Sequence, residues 1–257
     1  MSMHSETEIL KASATWVWYP RDSESEGEHL QLVRYPARFG GGVRASVIDS
    51  TLDAAGVVDH AIGRTRHWGE QKLVFWVDAA DSPHIEDELR RRGAVHEDTV
   101  TVFARPIPGD PIPVPDRITA EVVRTLDQVR DVDAVSVPVW EQQPLDEDGL
   151  ADQLDEITAE AESLTGFRAL ARIDGQAVST GGCTLVDGFL RLWGAATLPE
   201  FRGRGAYRAV LAERMRIGAE HGATTALVKG RVETSAPILA RCGFASYGED
   251  RSYVLAV

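Results

Sequence analysis

A mixed α/β fold is what the sequence predicts: a mostly antiparallel sheet flanked by helices, with a smaller α/β domain ahead of it. Three observations carry this. Asp174-Gly175 and Asp187-Gly188 sit between strand-like runs, and each is a two-residue hairpin signal. Tyr207, Val210, Leu211 and Met215 recur at helical spacing. The stretch RPIPGDPIPVPD at 105–116 holds five prolines and can continue neither a helix nor a central strand.

The proline stretch places a linker at 106–116 between a domain at 1–105 and a domain at 117–257. In the second domain, Ile118–Val123 predicts a strand. Leu126–Val137 and Asp148–Glu162 predict helices, the second strongly acidic. Phe167–Ile173, Ala177–Val186 and Phe189–Leu198 then form three consecutive antiparallel strands. A helix follows over about Gly203–Glu220, then a strand at Thr224–Lys229, a short helix at Ser235–Arg241, and one or two strands in Ala245–Val257. In the first domain, RDSESEGEH at 21–29 reads as a mobile loop. Strands are expected at Arg44–Ile48, Lys72–Val77 and Thr99–Arg105, with helices at Asp53–His67 and Pro83–Arg92. VFWVDAADSPHIEDELRRRGAV and LVKGRVETSAPILARCGFA share one order: strand, polar loop, short helix, Gly, strand. This is either a degenerate internal repeat or the convergence of common α/β punctuation.

Composition narrows the function. With 43% apolar and 26% charged residues over 257 positions, a packed core is expected and disorder is not. The net charge of −13 is spread over both parts with no basic stripe, so no nucleic-acid partner is expected. No apolar run approaches a membrane span, so no membrane role is expected. MSMHSETEILKAS has no basic flank before an apolar stretch, so no secretory signal is expected. Cys183 and Cys242 form no metal-ligand spacing. Neither a metal nor a disulfide is therefore expected, and a reducing cytoplasmic setting fits.

The chemistry concentrates at 190–215, LRLWGAATLPEFRGRGAYRAVLAERM. Arg202-Gly203-Arg204-Gly205-Ala206 leads from a strand and turn straight into an amphipathic helix. A helix start offers unpaired N–H groups and partial positive charge. Glycines allow close backbone approach, and arginines add fixed charge. A phosphate-binding loop and a plain surface turn both fit these features. The pattern is neither a P-loop nor a dinucleotide fingerprint.

This segment resembles motif A of the GNAT-superfamily N-acetyltransferases, [RQ]-x-x-G-x-[GA]. Arg202 to Ala206 match its first five positions, and Tyr207 stands where Gly or Ala is usual. Ala236-Pro237-Ile238-Leu239-Ala240-Arg241-Cys242-Gly243-Phe244 resembles motif B of the same family. The resemblance covers about 117–257. It implies an acetyl-CoA-dependent transfer of an acetyl group to a primary amine of a small-molecule or peptide acceptor. Ala195, Ala196 and Thr197 are then expected to pair with the pantetheine arm. Arg202, Gly203, Arg204, Gly205, Ala206, Tyr207 and Arg208 are expected to hold the pyrophosphate. A backbone N–H near Thr197 or Leu198 is expected to polarise the thioester carbonyl.

The sequence departs from the family at the proton-transfer groups. The usual motif B tyrosine is Leu239, and the usual asparagine is Val232. Tyr247 and Tyr253 lie nearby; each either packs on the sheet or supplies the acid, and Tyr247 is the candidate acid. Glu141, beside Trp140 at the expected end of a helix, is the candidate base; the alternative is an ordinary capping residue. The stretch 141–162 holds nine Asp or Glu and no Lys or Arg. It is either a solvated helix face or a rim that attracts a cationic acceptor. Trp193 belongs either to the core or to an acceptor pocket. Residues 1–105 are expected to serve the acceptor pocket or homodimer contacts. The remaining alternative is a GNAT-fold module that binds acyl-CoA or a protein without catalysis.

Overall fold

The computed structural model describes residues 2–20, 22–47, 50–78 and 83–257. Its elements, in chain order, begin with α1 (Glu6–Ala14), β1 (Glu24–Glu26), β2 (Leu30–Arg34), β3 (Val43–Val47), α2 (Ala54–His67), β4 (Lys72–Asp78), α3 (Pro83–Arg91) and β5 (Val95–Pro106). There follow β6 (Ile118–Val122), α4 (Leu126–Trp140), α5 (Glu147–Glu162), β7 (Gly166–Ile173), β8 (Gln176–Val186) and β9 (Phe189–Thr197). The chain ends with α6 (Ala206–Glu220), β10 (Thr225–Arg231), α7 (Ala236–Arg241) and β11 (Ala245–Ala256). The mixed, mostly antiparallel α/β class expected from sequence is the class observed.

Two compact units form. One is built on Ala104–Lys229 with Ala240–Ala245. The other is built on Ser5–Phe103 with Gly230–Leu239 and Ser246–Val257. The expected boundary at 106–116 therefore does not assign the whole C-terminal part to one unit. β11, at the end of the chain, pairs antiparallel with β4, Tyr253 opposite Phe75. That register buries Tyr253 and Leu255 with Leu73, Phe75 and Val77, so β11 has its apolar face covered in the N-terminal unit. The strand order there is β1-β2-β3-β4-β11-β5.

The other unit has the order β10-β9-β8-β7-β6. Strand alternation divides its two layers. Ala169, Ala171 and Ile173 of β7 face α6 and pack on Ala206, Ala209 and Val210. Leu170 faces the other way and packs with Val129 and Val132 of α4 and Leu150 and Ile157 of α5. Thr125 starts α4 with a capping box closed by Gln128. Asp146 starts α5 by accepting from the Gly149 amide.

Four expectations change. The polar stretch at 21–29 contains β1, which pairs with β2; Glu24 also pairs with Arg34 and Glu26 with Arg64. The helix expected to end at Val137 runs to Trp140. Pro138 falls in the last turn, where it forfeits one backbone bond, while Val129, Val132 and Val135 stay buried. The proline-rich stretch is extended but held down: Ile107 is buried and its amide donates to the Thr224 carbonyl at 2.9 Å. The strand expected at Arg44–Ile48 is observed as Val43–Val47, and Ile48 lies outside the described residues.

Leu170 is wholly buried between β7 and the α4–α5 layer. Leu170→Ala is expected to cost about 2–5 kcal/mol of stability. Urea unfolding of the full chain measures this, and a loss below about 1 kcal/mol would mean that this face is not core.

Candidate active site

β9 lies between two neighbours; near its end it parts from β10 and slips register against β8. It pairs parallel with β10 from Phe189↔Thr225 to Leu192↔Val228, and the pairing stops there. With β8 it pairs antiparallel, but the register breaks between Thr180 and Gly182. Gly182 opposes Trp193 and Thr180 opposes Ala196, so Gly194 and Ala195 together face Gly181 alone. This is a β-bulge, and Gly194 takes φ 60° within it. Past the bulge, Leu198 N–H donates to the Val178 carbonyl at 3.0 Å, and the Ala196 carbonyl accepts from Ser179 Oγ at 2.8 Å. The backbone groups of 196 and 198 are thus turned to β8. Alternation turns those of Ala195 and Thr197 to the open edge.

This sorts the expected residues. Ala195 and the Thr197 amide face the edge that β10 has left, while the Thr197 carbonyl accepts from Arg202 Nε. Ala196 does not, because Ser179 takes its carbonyl. The Leu198 amide is likewise spent on Val178, so of the two amides expected to polarise a carbonyl only that of Thr197 faces the open edge. Thr197 Oγ1 is steadied by Ser179 Oγ at 2.8 Å.

The loop that follows is short and closed at its base. A 3-10 turn at Pro199–Phe201 leads to Arg202, whose Nε donates to the Thr197 carbonyl at 3.2 Å. Arg204 is exposed and lies over the Phe201 ring at 5.2 Å. Gly205 is the N-cap of α6 with φ 99°, a conformation that L side chains rarely adopt, and it offers no side-chain cap. A Cβ there would meet Pro115 at 2.9 Å. The amides of Ala206, Tyr207 and Arg208 open the helix and have no intrahelical acceptor. A bare helix start, flanked by Arg202, Arg204 and Arg208 in a chain of net charge −13, is suited to an anion. Tyr207 does not crowd this start. Its phenol turns inward, where burial raises its pKa against the pull of the Arg214 guanidinium.

The candidate proton-transfer groups sit on other elements than the loop. Glu141 is the C-cap of α4, exposed, in the left-handed conformation with φ 52°, and its amide donates to the Val137 carbonyl. Trp140 beside it is 41% exposed, so it does not wrap the carboxylate in apolar surface. Tyr247 is half-buried on β11, in the unit built on Ser5–Phe103. Leu239 is wholly buried, and a Cβ on Gly230 would meet it at 2.7 Å. Tyr253 is core, its hydroxyl accepting from Arg90 at 2.6 Å. Among the described residues no group of three or more His, Cys, Asp or Glu could hold a metal ion, and no helix is long and apolar enough to cross a membrane.

Sequence reasoning passed over Gly181, Gly182 and Arg214, which stand at the bulge. Trp193 is half-buried, its indole Nε1 donating to Thr184 Oγ1 at 3.0 Å and its ring lying against Gly182. A pair of glycines inside an otherwise apolar strand was the available signal, because it marks a bulge or a close approach.

The family model described as Acetyltransferase (GNAT) family matches residues 126–244. Among solved structures, a GCN5-related N-acetyltransferase from Kribbella flavida is similar over 99% of this chain and 96% of that one, with a TM-score of 0.71 at 18% identity. A GCN5-related N-acetyltransferase from Sphaerobacter thermophilus is similar over 90% and 81%, with a TM-score of 0.65 at 18% identity. A tandem GNAT protein from the clavulanic acid biosynthesis pathway is similar over 96% and 87%, with a TM-score of 0.64 at 11% identity. At these identities the likeness is one of fold. No curated protein matches the chain in sequence.

Two outcomes are expected from this geometry. Gly205→Ala should destabilise by more than about 1–2 kcal/mol, since it meets both an unfavourable φ and Pro115. Gly203→Ala has φ 75° but open space around it and should cost less. Equal losses in urea unfolding would show that the Pro115 contact is immaterial. Burial pushes the Cys183 thiol from 9.0 up to about 12. The native state then holds a proton that the unfolded chain releases. The stability this contributes is full below pH 9 and falls as pH rises towards 12. Wild type should therefore lose more stability than Cys183→Ala across that window, and parallel pH profiles would contradict the assignment.

Proposed function

We propose that the protein transfers an acetyl group from acetyl-CoA to a primary amine, a reading supported by the match of residues 126–244 to the GNAT acetyltransferase family model. The observation that carries this reading is the open β9 edge at Ala195 and Thr197, directly followed by the uncapped start of α6. The pantetheine arm would lie along the edge and exchange backbone hydrogen bonds with Ala195, bringing the thioester carbonyl to the Thr197 amide. The amides of Ala206–Arg208 would hold the pyrophosphate, with Arg204 and Arg208 supplying charge.

The amine attacks the thioester carbonyl directly, and the Thr197 amide stabilises the oxyanion. The intermediate collapses, the carbon–sulfur bond breaks, and coenzyme A leaves as thiolate. The ammonium formed by attack gives up a proton and the thiolate takes one. No enzyme nucleophile is required, so alignment of the two substrates supplies most of the acceleration. Glu141 as base and Tyr247 as acid are the candidates for the proton steps. The acceptor is a small molecule or peptide bearing a primary amine. A second reading, acyl-CoA binding without turnover, draws support from Leu239, an apolar core residue where the family usually has its acid.

Calorimetric titration with acetyl-CoA, followed by an amine screen, tests the proposal. Arg204→Ala should weaken binding by about ten- to a hundredfold, the worth of one charge-assisted bond. Gly205→Glu should abolish it by placing bulk and negative charge at the helix start. Tyr247→Phe and Glu141→Gln should each lower kcat about a hundredfold if they move protons. Undiminished kcat removes that residue from the mechanism, and unchanged affinity in both loop variants removes the site.

A further inference from the structure

Arg214, on α6, is 1% exposed. Its Nη1 donates to the Gly182 carbonyl at 2.9 Å. It forms no ion pair among the described residues, and its Nε and Nη2 have no hydrogen-bond partner there. A guanidinium buried without a counter-ion is unfavourable, and a methionine would fill the same space without that cost. Packing α6 on the sheet therefore does not account for the charge.

Its position does. A Cβ added to Gly181 would lie 2.9 Å from Arg214 Nη1 and 3.0 Å from Cζ. A Cβ added to Gly182 would lie 2.5 Å from the Trp193 ring. Successive strand residues face opposite sides of a sheet, so β8 is gripped between a guanidinium on one face and an indole on the other. The grip falls where the β8–β9 register breaks. A strand that loses register leaves backbone groups to be satisfied from elsewhere, and Arg214 supplies the donor for Gly182. Tyr207, seven residues earlier on the same helix, interacts electrostatically with the guanidinium.

We propose that Arg214 is a positioning residue: it holds the β8–β9 bulge, and so sets the affinity of the open Ala195–Thr197 edge for the pantetheine-thioester part of an acyl-CoA. The inference rests on the acyl-CoA reading above. It adds a separation of effects. Loss of Arg214 weakens binding of the thioester arm and leaves binding of the diphosphate end, which the α6 start holds, unchanged.

The test titrates the full chain with acetyl-CoA and, separately, with 3′-phospho-ADP, the diphosphate end alone. The proteins are wild type, Arg214→Met, Arg214→Lys, Gly181→Ala and Gly205→Glu, each also followed by thermal unfolding. In Arg214→Met and Gly181→Ala the Kd for acetyl-CoA should rise about tenfold, as for one lost hydrogen bond to a charged group. Their Kd for 3′-phospho-ADP should stay at the wild-type value. Arg214→Lys should recover part of the loss. Arg214→Met should melt no lower than wild type, which separates positioning from plain stabilisation. An unchanged Kd for acetyl-CoA in Arg214→Met, or equal weakening of both ligands, overturns the proposal. Should Arg214→Met not fold, Gly181→Ala decides by the same two affinities. Wild-type binding that Gly205→Glu abolishes shows that the acyl-CoA reading stands even where the Arg214 proposal fails. Wild type that binds neither ligand overturns both.

Discussion

Everything at the candidate site depends on β9 losing one neighbour and slipping against the other. Backbone groups in a sheet interior are normally consumed by the ladder, and an unpaired edge inside a folded unit is unfavourable unless something else satisfies it. Here two independent departures coincide. The parallel pairing with β10 ends at Leu192↔Val228, and the antiparallel pairing with β8 slips by one residue beyond Gly182. The first frees the edge, and the second decides which residues face it. Ser179 and Val178 then take the groups of Ala196 and Leu198, and Arg202 takes the Thr197 carbonyl, leaving Ala195 and the Thr197 amide.

The two units repeat one construction with a telling difference. β3-α2-β4 and β9-α6-β10 are both parallel strand pairs with a helical crossover. In the first, Asp53 caps α2 by accepting from the Gly56 amide. A carboxylate already fills the place that an anion would take. In the second, Gly205 leaves the start of α6 bare. The same helix-terminus electrostatics thus disfavours an anion at α2 and favours one at α6.

Charge follows the same economy. Part of the acidity of α4 and α5 is consumed internally: Glu147 pairs with Arg130, Glu156 with Arg168 and Asp131 with Arg172. The rim that the sequence suggests is therefore less negative than a count of its residues implies. Exposed pairs of this kind contribute little to stability. Arg204, by contrast, forms no ion pair among the described residues and keeps its charge for the loop.

Local pattern determined a great deal of this protein. The hairpin dipeptides, the 3.6-residue stripe on α6 and the RGRGA segment each act over a few residues, and each is found where the pattern places it. The sequence also carried the identity of the loop, because the conformational freedom of Gly205 and the charges of its arginines are properties of the residues themselves. It did not carry the pairing of β11 with β4, which joins residues nearly two hundred positions apart through an apolar face that several strands could have covered. Nor did it distinguish Ala196 from its two neighbours, since a one-residue slip in register reverses which backbone groups point outward. That slip is held by Arg214 on one face of β8 and Trp193 on the other. Their meeting at Gly181 and Gly182 exists only once helix and sheet are packed together.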